Sequence, residues 1–505
     1  MRYLLIQLLL QVLLRPQEFS EAASELVICC TKAFRSSDLL ASSGDDEAEG
    51  DDSPEFMDVL VDTMLSLLPQ SSAPMRTAIE QVFKCFCEDV TDDGLHRMLR
   101  VIKKDLKPAR HQETDSENED DDDDDVLDIE EAEESDEAEM DETAERYEHA
   151  DDSETVVGVE GVSSELPVAS DDDSDEGLDD DAMFRLDTHL AKMYNAKKNQ
   201  AGSETAHSQL ALFKLRVLSL LEIYLHENPE KPKVVKIFSS LAHAFVNPHT
   251  TEGNEQLGQR IWGILQKKIF KAKDHPKGEV IEFPVLKSLL ERNLVLAAKP
   301  FKKKKSASSL SKKKLSAALN RYKMINSLAQ SSTFWILKMI DLKKRPESEL
   351  EEVSCIFREK LEGYLDSKST RMKCEFLKEI FKRRPRIGYP LFGFLLEKCA
   401  SAKLQFRQIE ALELVFEMLK SFVSSNPDDN SHFAKLGSHL AKLGCLVNVL
   451  LKNMPDKASR RADVRKFFGK VIQVLTDLEQ RALFLEALEP DCEAQLRDMF
   501  PALNQ

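Results

Sequence analysis

An acidic tract divides this chain of 505 residues and limits what can fold on either side of it. It runs from Glu113 to Asp181 and holds 35 carboxylates against one cation, Arg146, for a net charge of −34. Glu119 to Asp125 has a carboxylate at every position. Such a run repels itself and cannot bury enough apolar surface to offset the entropy of ordering the chain, so disorder is expected. The whole chain carries −21, residues 1–112 carry −7 and residues 182–505 carry +20. The acidic overall balance therefore conceals a basic C-terminal body.

Outside the tract the pattern is helical. Only 17 Gly and 19 Pro occur, and Leu, Lys, Glu and Ala dominate. Scarce glycine argues against phosphate-cradling loops, where the backbone must approach a phosphate closely. Apolar residues recur at i, i+3 and i+4 over residues 3–14, 18–35, 55–69, 73–88 and 92–104, with Asp92 or Asp93 as the expected cap of the fifth segment. Helices are predicted again over 184–198, 210–226, 234–245, 255–270 and 283–298. For 210–226 the expected apolar face is Leu212, Leu215, Leu218, Leu221 and Leu225. Further helices are predicted over 317–328, 333–342, 350–367, 372–383, 390–400, 405–424, 432–451, 462–475 and 481–500. Two-helix units of this size point to an all-α solenoid of stacked HEAT- or armadillo-like repeats, interrupted by the tract. The expected organisation is N-terminal repeats over 1–112, the tract over 113–181, central repeats over 182–298, a Lys-rich linker over 299–315 and a basic helical region over 316–505.

The first segment, Tyr3 to Leu14, is apolar enough to suggest a secretory leader. Gln7 and Gln11 interrupt it one turn apart, and Arg15-Pro16 follows where a small-residue cleavage site would stand. It is also too short for a bilayer, which needs about 20 apolar residues. A packed amphipathic helix with a Gln stripe is expected, and no membrane partner. The nine cysteines have no disulfide rhythm. Cys29, Cys30, Cys85, Cys87, Cys399 and Cys445 fall in apolar helical patterns and read as reduced core thiols.

No phosphate-binding loop, zinc-protease helix or nucleophile elbow is present in the sequence. Cys85, Cys87 and His96 are too tightly spaced and too apolar in context for a zinc site. No catalytic residue, metal ligand or cofactor is assigned. Two lysine clusters flank a Ser-rich spacer: Lys302, Lys303, Lys304 and Lys305 on one side, and Lys312, Lys313 and Lys314 on the other. They have the form of a bipartite nuclear import signal or a nucleic-acid contact patch. A second basic patch comprises Lys382, Arg383, Arg384 and Arg386, and Arg460-Arg461 is a smaller one. Together these cations should attract polyanions in a salt-dependent way. Ser116, with Glu119 three residues on, and Ser170, followed by three aspartates, are candidates for acidophilic phosphorylation.

Four blocks, in this order, carry a resemblance. They are the Leu-rich opening through Arg15-Pro16-Gln17-Glu18-Phe19-Ser20, the acidic tract, Asp181-Ala182-Met183-Phe184-Arg185-Leu186-Asp187, and Phe213-Lys214-Leu215-Arg216-Val217-Leu218 with Leu221-Glu222-Ile223-Tyr224. They resemble the DNA polymerase V / Myb-binding protein 1A family, well over roughly residues 1–300 and weakly beyond. Members usually carry a long helical segment before the equivalent of Met1, so the chain is expected to correspond to a C-terminal portion or a truncated form. The resemblance implies a nucleolar helical-repeat protein that binds transcription factors, nucleolar proteins and DNA, including ribosomal DNA, with RNA as a further candidate partner. It also implies regulation of transcription, including ribosomal RNA genes, and a part in ribosome production. The family name implies a DNA polymerase, yet the sequence contains no Asp-Thr-Asp metal motif or other palm signature, and a non-enzyme is expected. A further alternative is a chaperone whose acidic tract shields histones or ribosomal proteins.

Overall fold

The computed structural model describes residues 2–38, 56–104, 203–247, 255–277, 281–298, 312–340, 345–367, 372–402, 404–423 and 430–504. Among them every regular element is helical. The acidic tract and the predicted helix over 184–198 lie outside the described residues.

Five helices precede the tract: α1 (Arg2–Leu14), α2 (Pro16–Asp38), α3 (Phe56–Leu67), α4 (Ala73–Phe86) and α5 (Asp92–Lys103). After it come α6 (Ser203–Glu227), α7 (Lys233–Val246), α8 (Glu255–Ile264), which runs on into a π-helical turn at Leu265–Phe270, and α9 (Phe283–Ala298). The C-terminal part comprises α10 (Lys312–Ile340), α11 (Glu347–Asp366), α12 (Cys374–Arg383), α13 (Pro385–Ala400), α14 (Gln405–Val423), α15 (Asn430–Lys452), α16 (Ala458–Asp477), α17 (Arg481–Glu486) and α18 (Pro490–Met499).

Local chemistry sets most boundaries. Ser72 caps α4 by accepting a hydrogen bond from the Met75 N–H, satisfying a donor that the first turn leaves without an intrahelical partner. Thr91 caps α5, its hydroxyl accepting from Gly94 N–H at 2.9 Å. The expected caps Asp92 and Asp93 instead occupy the first turn, where their charge complements the helix dipole, as Arg100 and Lys103 do in the last.

Alternate helices then stack. In one layer α3 packs on α5 and α5 on α7, while α4 packs on α6 and α6 on α8. Further along, α9, α11, α13, α15 and α17 form one succession, and α12, α14 and α16 the other. This is the packing of a helical-repeat solenoid, in which each unit covers the apolar face its neighbour exposes.

The residues on both sides of 107–184 form one compact unit. Polar clamps from α6 and α7 reach back to α3–α5. The Arg216 guanidinium donates to the Leu68 carbonyl and to the Pro69 carbonyl at 2.7 Å. The Asn228 amide donates to Cys87 O at 3.4 Å, and Lys236 pairs with Asp92 at 2.9 Å. Both carbonyls sit at the end of a helix; that of Leu68 also accepts from the Ser71 N–H at 3.3 Å and the Ser71 hydroxyl at 2.8 Å.

Several boundaries and faces differ from expectation. The two helices predicted over 317–328 and 333–342 are one, α10. Ser332, read as part of a break, and Thr333 donate back to Ala329 O at 3.0 and 2.7 Å, and Ser332 also donates to the Asn293 side chain of α9. The helix predicted over 481–500 is two. Pro490 pushes Glu489 into extended backbone at φ −70°, ψ 145° and opens α18 at its first turn. On α6 Leu218, Leu221 and Leu225 are buried as expected and Leu215 is half-buried, but Leu212 is exposed and the buried side also takes in Leu210, Phe213, Val217, Leu220 and Tyr224. Because α6 packs against α4, α5 and α8 at once, no single stripe marks its buried side. Cys85 and Cys445 are exposed rather than core thiols; Cys29, Cys87 and Cys399 are buried and Cys30 is half-buried.

An acidic cluster joins α2, α3 and α5. Asp62 pairs with Arg97, Thr91 donates to Asp58, and Thr63 donates to Glu25 at 3.3 Å. Burial pushes the Asp62 carboxyl up to about 6, with Asp58 and Glu25 acting in the same direction and Arg97 opposing them. The folded state therefore holds a proton that the unfolded state releases near pH 4. Stability contributed here is greatest below about pH 4 and falls as pH rises through about 6, by on the order of 2–3 kcal/mol. Asp62→Asn should flatten that part of the pH–stability profile measured by denaturant unfolding; an unchanged slope between pH 4 and 7 would contradict the assignment.

Candidate interaction surfaces

The first two helices present an apolar face. Leu4 and Leu8 of α1 are buried, and α1 packs on α2 and α4. The opposite side of α1 exposes Tyr3, Ile6, Leu9, Leu10, Leu13 and Leu14, the last two above 70%. Val27 and Ile28 of α2 are also more than half exposed. The Gln stripe expected to face solvent instead flanks the buried side, with Gln7 and Gln11 half-buried. The reason is composition: α1 is apolar around nearly its whole circumference, and packing Leu4 and Leu8 inward leaves the second apolar side outward. A helix apolar on all sides ordinarily has two covered faces, and that was the available signal for this surface. An exposed cluster of this kind marks a contact site.

The basic patch at Lys382, Arg383, Arg384 and Arg386 is a corner between α12 and α13. Lys382 and Arg383 pair with Glu379 at 3.5 and 2.9 Å, and the Arg383 guanidinium lies 4.7 Å from the centre of the Phe334 ring. Arg384 and Arg386 flank Pro385, which starts α13, and both are half-buried. The structure thus brings these residues together but spends two of the four charges on a local carboxylate and a ring. Of the lysine clusters, Lys302, Lys303, Lys304 and Lys305 lie outside the described residues. Lys312, Lys313 and Lys314 form the first turn of α10. Ser116 and Ser170 lie outside the described residues.

Chemical groups elsewhere are held in structural contacts. Cys87, considered above for zinc, is buried and lies 3.5 Å from the Asn228 amide. Among the described residues no three His, Cys, Asp or Glu side chains are placed to share a metal ion. An open groove of 350 Å³ beside α9 and α11 is lined by Lys287, Glu291, Glu351, Glu352, Cys355 and Glu359. Lys287 pairs with Glu352 at 2.8 Å within it, and the groove has the character of a solvated acidic seam between helices. No helix among the described residues is long and apolar enough to cross a membrane.

The model of the DNA polymerase phi family matches residues 1–225, which contain α1–α5, the tract and most of α6. Myb-binding protein 1A of Rattus norvegicus is 24% identical over 454 residues, covering 83% of this chain and 33% of the relative. Myb-binding protein 1A of Mus musculus is 29% identical over 285 residues, covering 51% of this chain and 20% of the relative. The chain thus spans a third or less of the length of these relatives. No solved structure matches it. The resemblance to the DNA polymerase V / Myb-binding protein 1A family drawn from the sequence is borne out by the family match over residues 1–225 and by both relatives.

Proposed function

We propose that this protein is a non-catalytic nuclear scaffold that joins transcription factors to DNA, acts in the nucleolus on ribosomal RNA genes, and supports ribosome production. The observation that carries this reading is the exposed apolar face of α1 and α2, within the region that matches the family. Apolar side chains at helical spacing suit an amphipathic helix laid across them, and the relatives bear the name of a Myb-binding protein. A Myb-type transcription factor is therefore the partner proposed for it. The +20 of residues 182–505 supplies attraction to DNA or RNA, with Lys302–Lys305 and Lys312–Lys314 as the contact and import patch. Lys382, Arg383, Arg384 and Arg386 form a secondary patch. Ser116 and Ser170 modulate the acidic tract by phosphorylation. No cofactor is required.

A chaperone reading is favoured by one observation, the 35 carboxylates of the tract, which suit basic clients such as histones or ribosomal proteins. Crosslinking the tagged chain in cells and identifying the bound nucleic acid and proteins tests the scaffold reading. Ribosomal DNA and a Myb-type factor should be recovered together, the factor being lost with Leu9→Glu and Leu13→Glu. Histones or ribosomal proteins without nucleic acid would support the chaperone instead.

A further inference from the structure

Many cations in the C-terminal body have a carboxylate beside them. Lys398 pairs with Glu362 and Asp366 at 2.7 and 3.0 Å. Lys420 pairs with Glu417 at 2.7 Å, Lys442 with Glu397 at 2.6 Å, Lys452 with Glu489 at 2.6 Å and Arg497 with Glu493 at 2.7 Å. The first half of α16 is different. Residues 457–470 contain six cations and one carboxylate, Asp463. Arg460 donates to the neutral Gln405 amide oxygen at 3.0 Å, and Lys470 lies 4.8 Å from the centre of the Phe416 ring. Arg461, Arg465 and Lys466 are exposed, and none has an ion pair among the described residues.

The helix is anchored from its other side. Val464, Phe467, Phe468, Val471, Val474 and Leu475 are buried, which fixes the direction in which the three cations point. Arg461 and Arg465 are one turn apart on one flank of the exposed side, and Lys466 adjoins Arg465. From Arg461 to Lys466 the helix rises about 7.5 Å, the axial length of roughly two nucleotide steps of one strand. The outward side of a solenoid helix needs a polar face. That need is met equally by paired or mixed charges, such as those on the neighbouring helices, and does not account for a one-sided unpaired cluster. Arginine adds a planar, weakly hydrated donor fork suited to phosphate oxygens.

We propose that the exposed side of α16, through Arg461, Arg465 and Lys466, is a nucleic-acid contact that takes the phosphodiester backbone without reading sequence. This rests on the nucleic-acid-binding part of the proposed function and names a contact in a different stretch of the chain from the lysine clusters of residues 302–314. The test compares the full chain with the triple variant Arg461→Ala, Arg465→Ala, Lys466→Ala. A second triple variant, Lys267→Ala, Lys271→Ala, Lys273→Ala, removes the same charge from another exposed, unpaired site. Affinities for a mixed-sequence duplex DNA and for a single-stranded RNA are measured over a salt series.

Removing three cations that each neutralise a phosphate should make the slope of log K against log salt shallower, by about 2.7 for duplex DNA or about 2.1 for single strands. The arm with the larger affinity loss identifies the nucleic acid. The Lys267 variant should keep the original slope. Equal loss in both variants would reduce the effect to net charge and overturn the assignment. An unchanged slope in the α16 variant would overturn it while leaving nucleic-acid binding intact. Failure of the unaltered chain to bind either nucleic acid would overturn the broader reading as well.

Discussion

Replacing Arg407 with methionine should cost about 3–5 kcal/mol, the range for stripping one partner from a buried ion pair. Arg407 is 5% exposed. Its guanidinium donates to Glu410 Oε2 at 2.6 Å and to the Ser367 carbonyl at 3.3 Å, and it lies 4.3 Å from the centre of the Tyr364 ring. Tyr364 in turn donates to the same Glu410 oxygen at 2.8 Å. Burial holds the Tyr364 phenol well above its ordinary range and pushes the adjacent Cys374 thiol up to about 12. The network ties α11 to α14. Without the guanidinium, the Glu410 carboxylate loses its cation at a half-buried position. The triple variant Arg407→Met, Glu410→Met, Tyr364→Phe should recover much of the loss, because no charge or phenol then remains to be desolvated. Denaturant unfolding reads both values. A loss below about 1 kcal/mol for Arg407→Met would place the pair among ordinary surface ion pairs.

Two glycines of one helix should respond to the same substitution with opposite signs. A Cβ on Gly444 of α15 would stand 2.8 Å from both the Cβ and the carbonyl oxygen of Ala487. Backbone cannot yield there as the end of a long side chain could, so Gly444→Ala should destabilise by about 1–3 kcal/mol through overpacking. A Cβ on Gly437 would meet nothing within 4 Å. Gly437→Ala should therefore stabilise by about 0.5–1 kcal/mol, through helix propensity and a less flexible unfolded chain. Thermal midpoints of the two variants give the comparison. Destabilisation by both would show that α15 tolerates no added side chain along its length, contrary to the packing described.

Helix existence was legible because its signals are local: a period of 3.6, a proline at the first turn, an apolar run of sufficient length. Faces were less legible. A solenoid helix is covered by its hairpin partner and by its stacking neighbours, so a single-stripe reading caught only part of the buried side of α6 and misplaced the polar side of α1. Residues 329–332 fall between two predicted helices, but the Ser332 and Thr333 hydroxyls bond back to Ala329 O and α10 continues through them. Pro490 was overlooked within a helical period, although its restriction on Glu489 was available from the sequence. The neutralisation of Lys382 and Arg383 was also available, since Glu379 precedes them by three and four residues. The unpaired state of Arg461, Arg465 and Lys466 was not, because it depends on which helices stack beside α16. Arg216 gave no local sign of its role either, as the carbonyls it holds lie 147 and 148 residues earlier.

Crosslinking the tagged chain in cells, with its bound nucleic acid sequenced and the purified chain assayed alongside for primer extension, tests the scaffold reading most directly. Ribosomal DNA or precursor ribosomal RNA should be enriched, less so when Lys302–Lys305 and Lys312–Lys314 are replaced by alanine, and the purified chain should incorporate no nucleotide. Template-dependent synthesis that is lost on a carboxylate-to-alanine substitution outside residues 113–181 would contradict the scaffold reading and establish a polymerase.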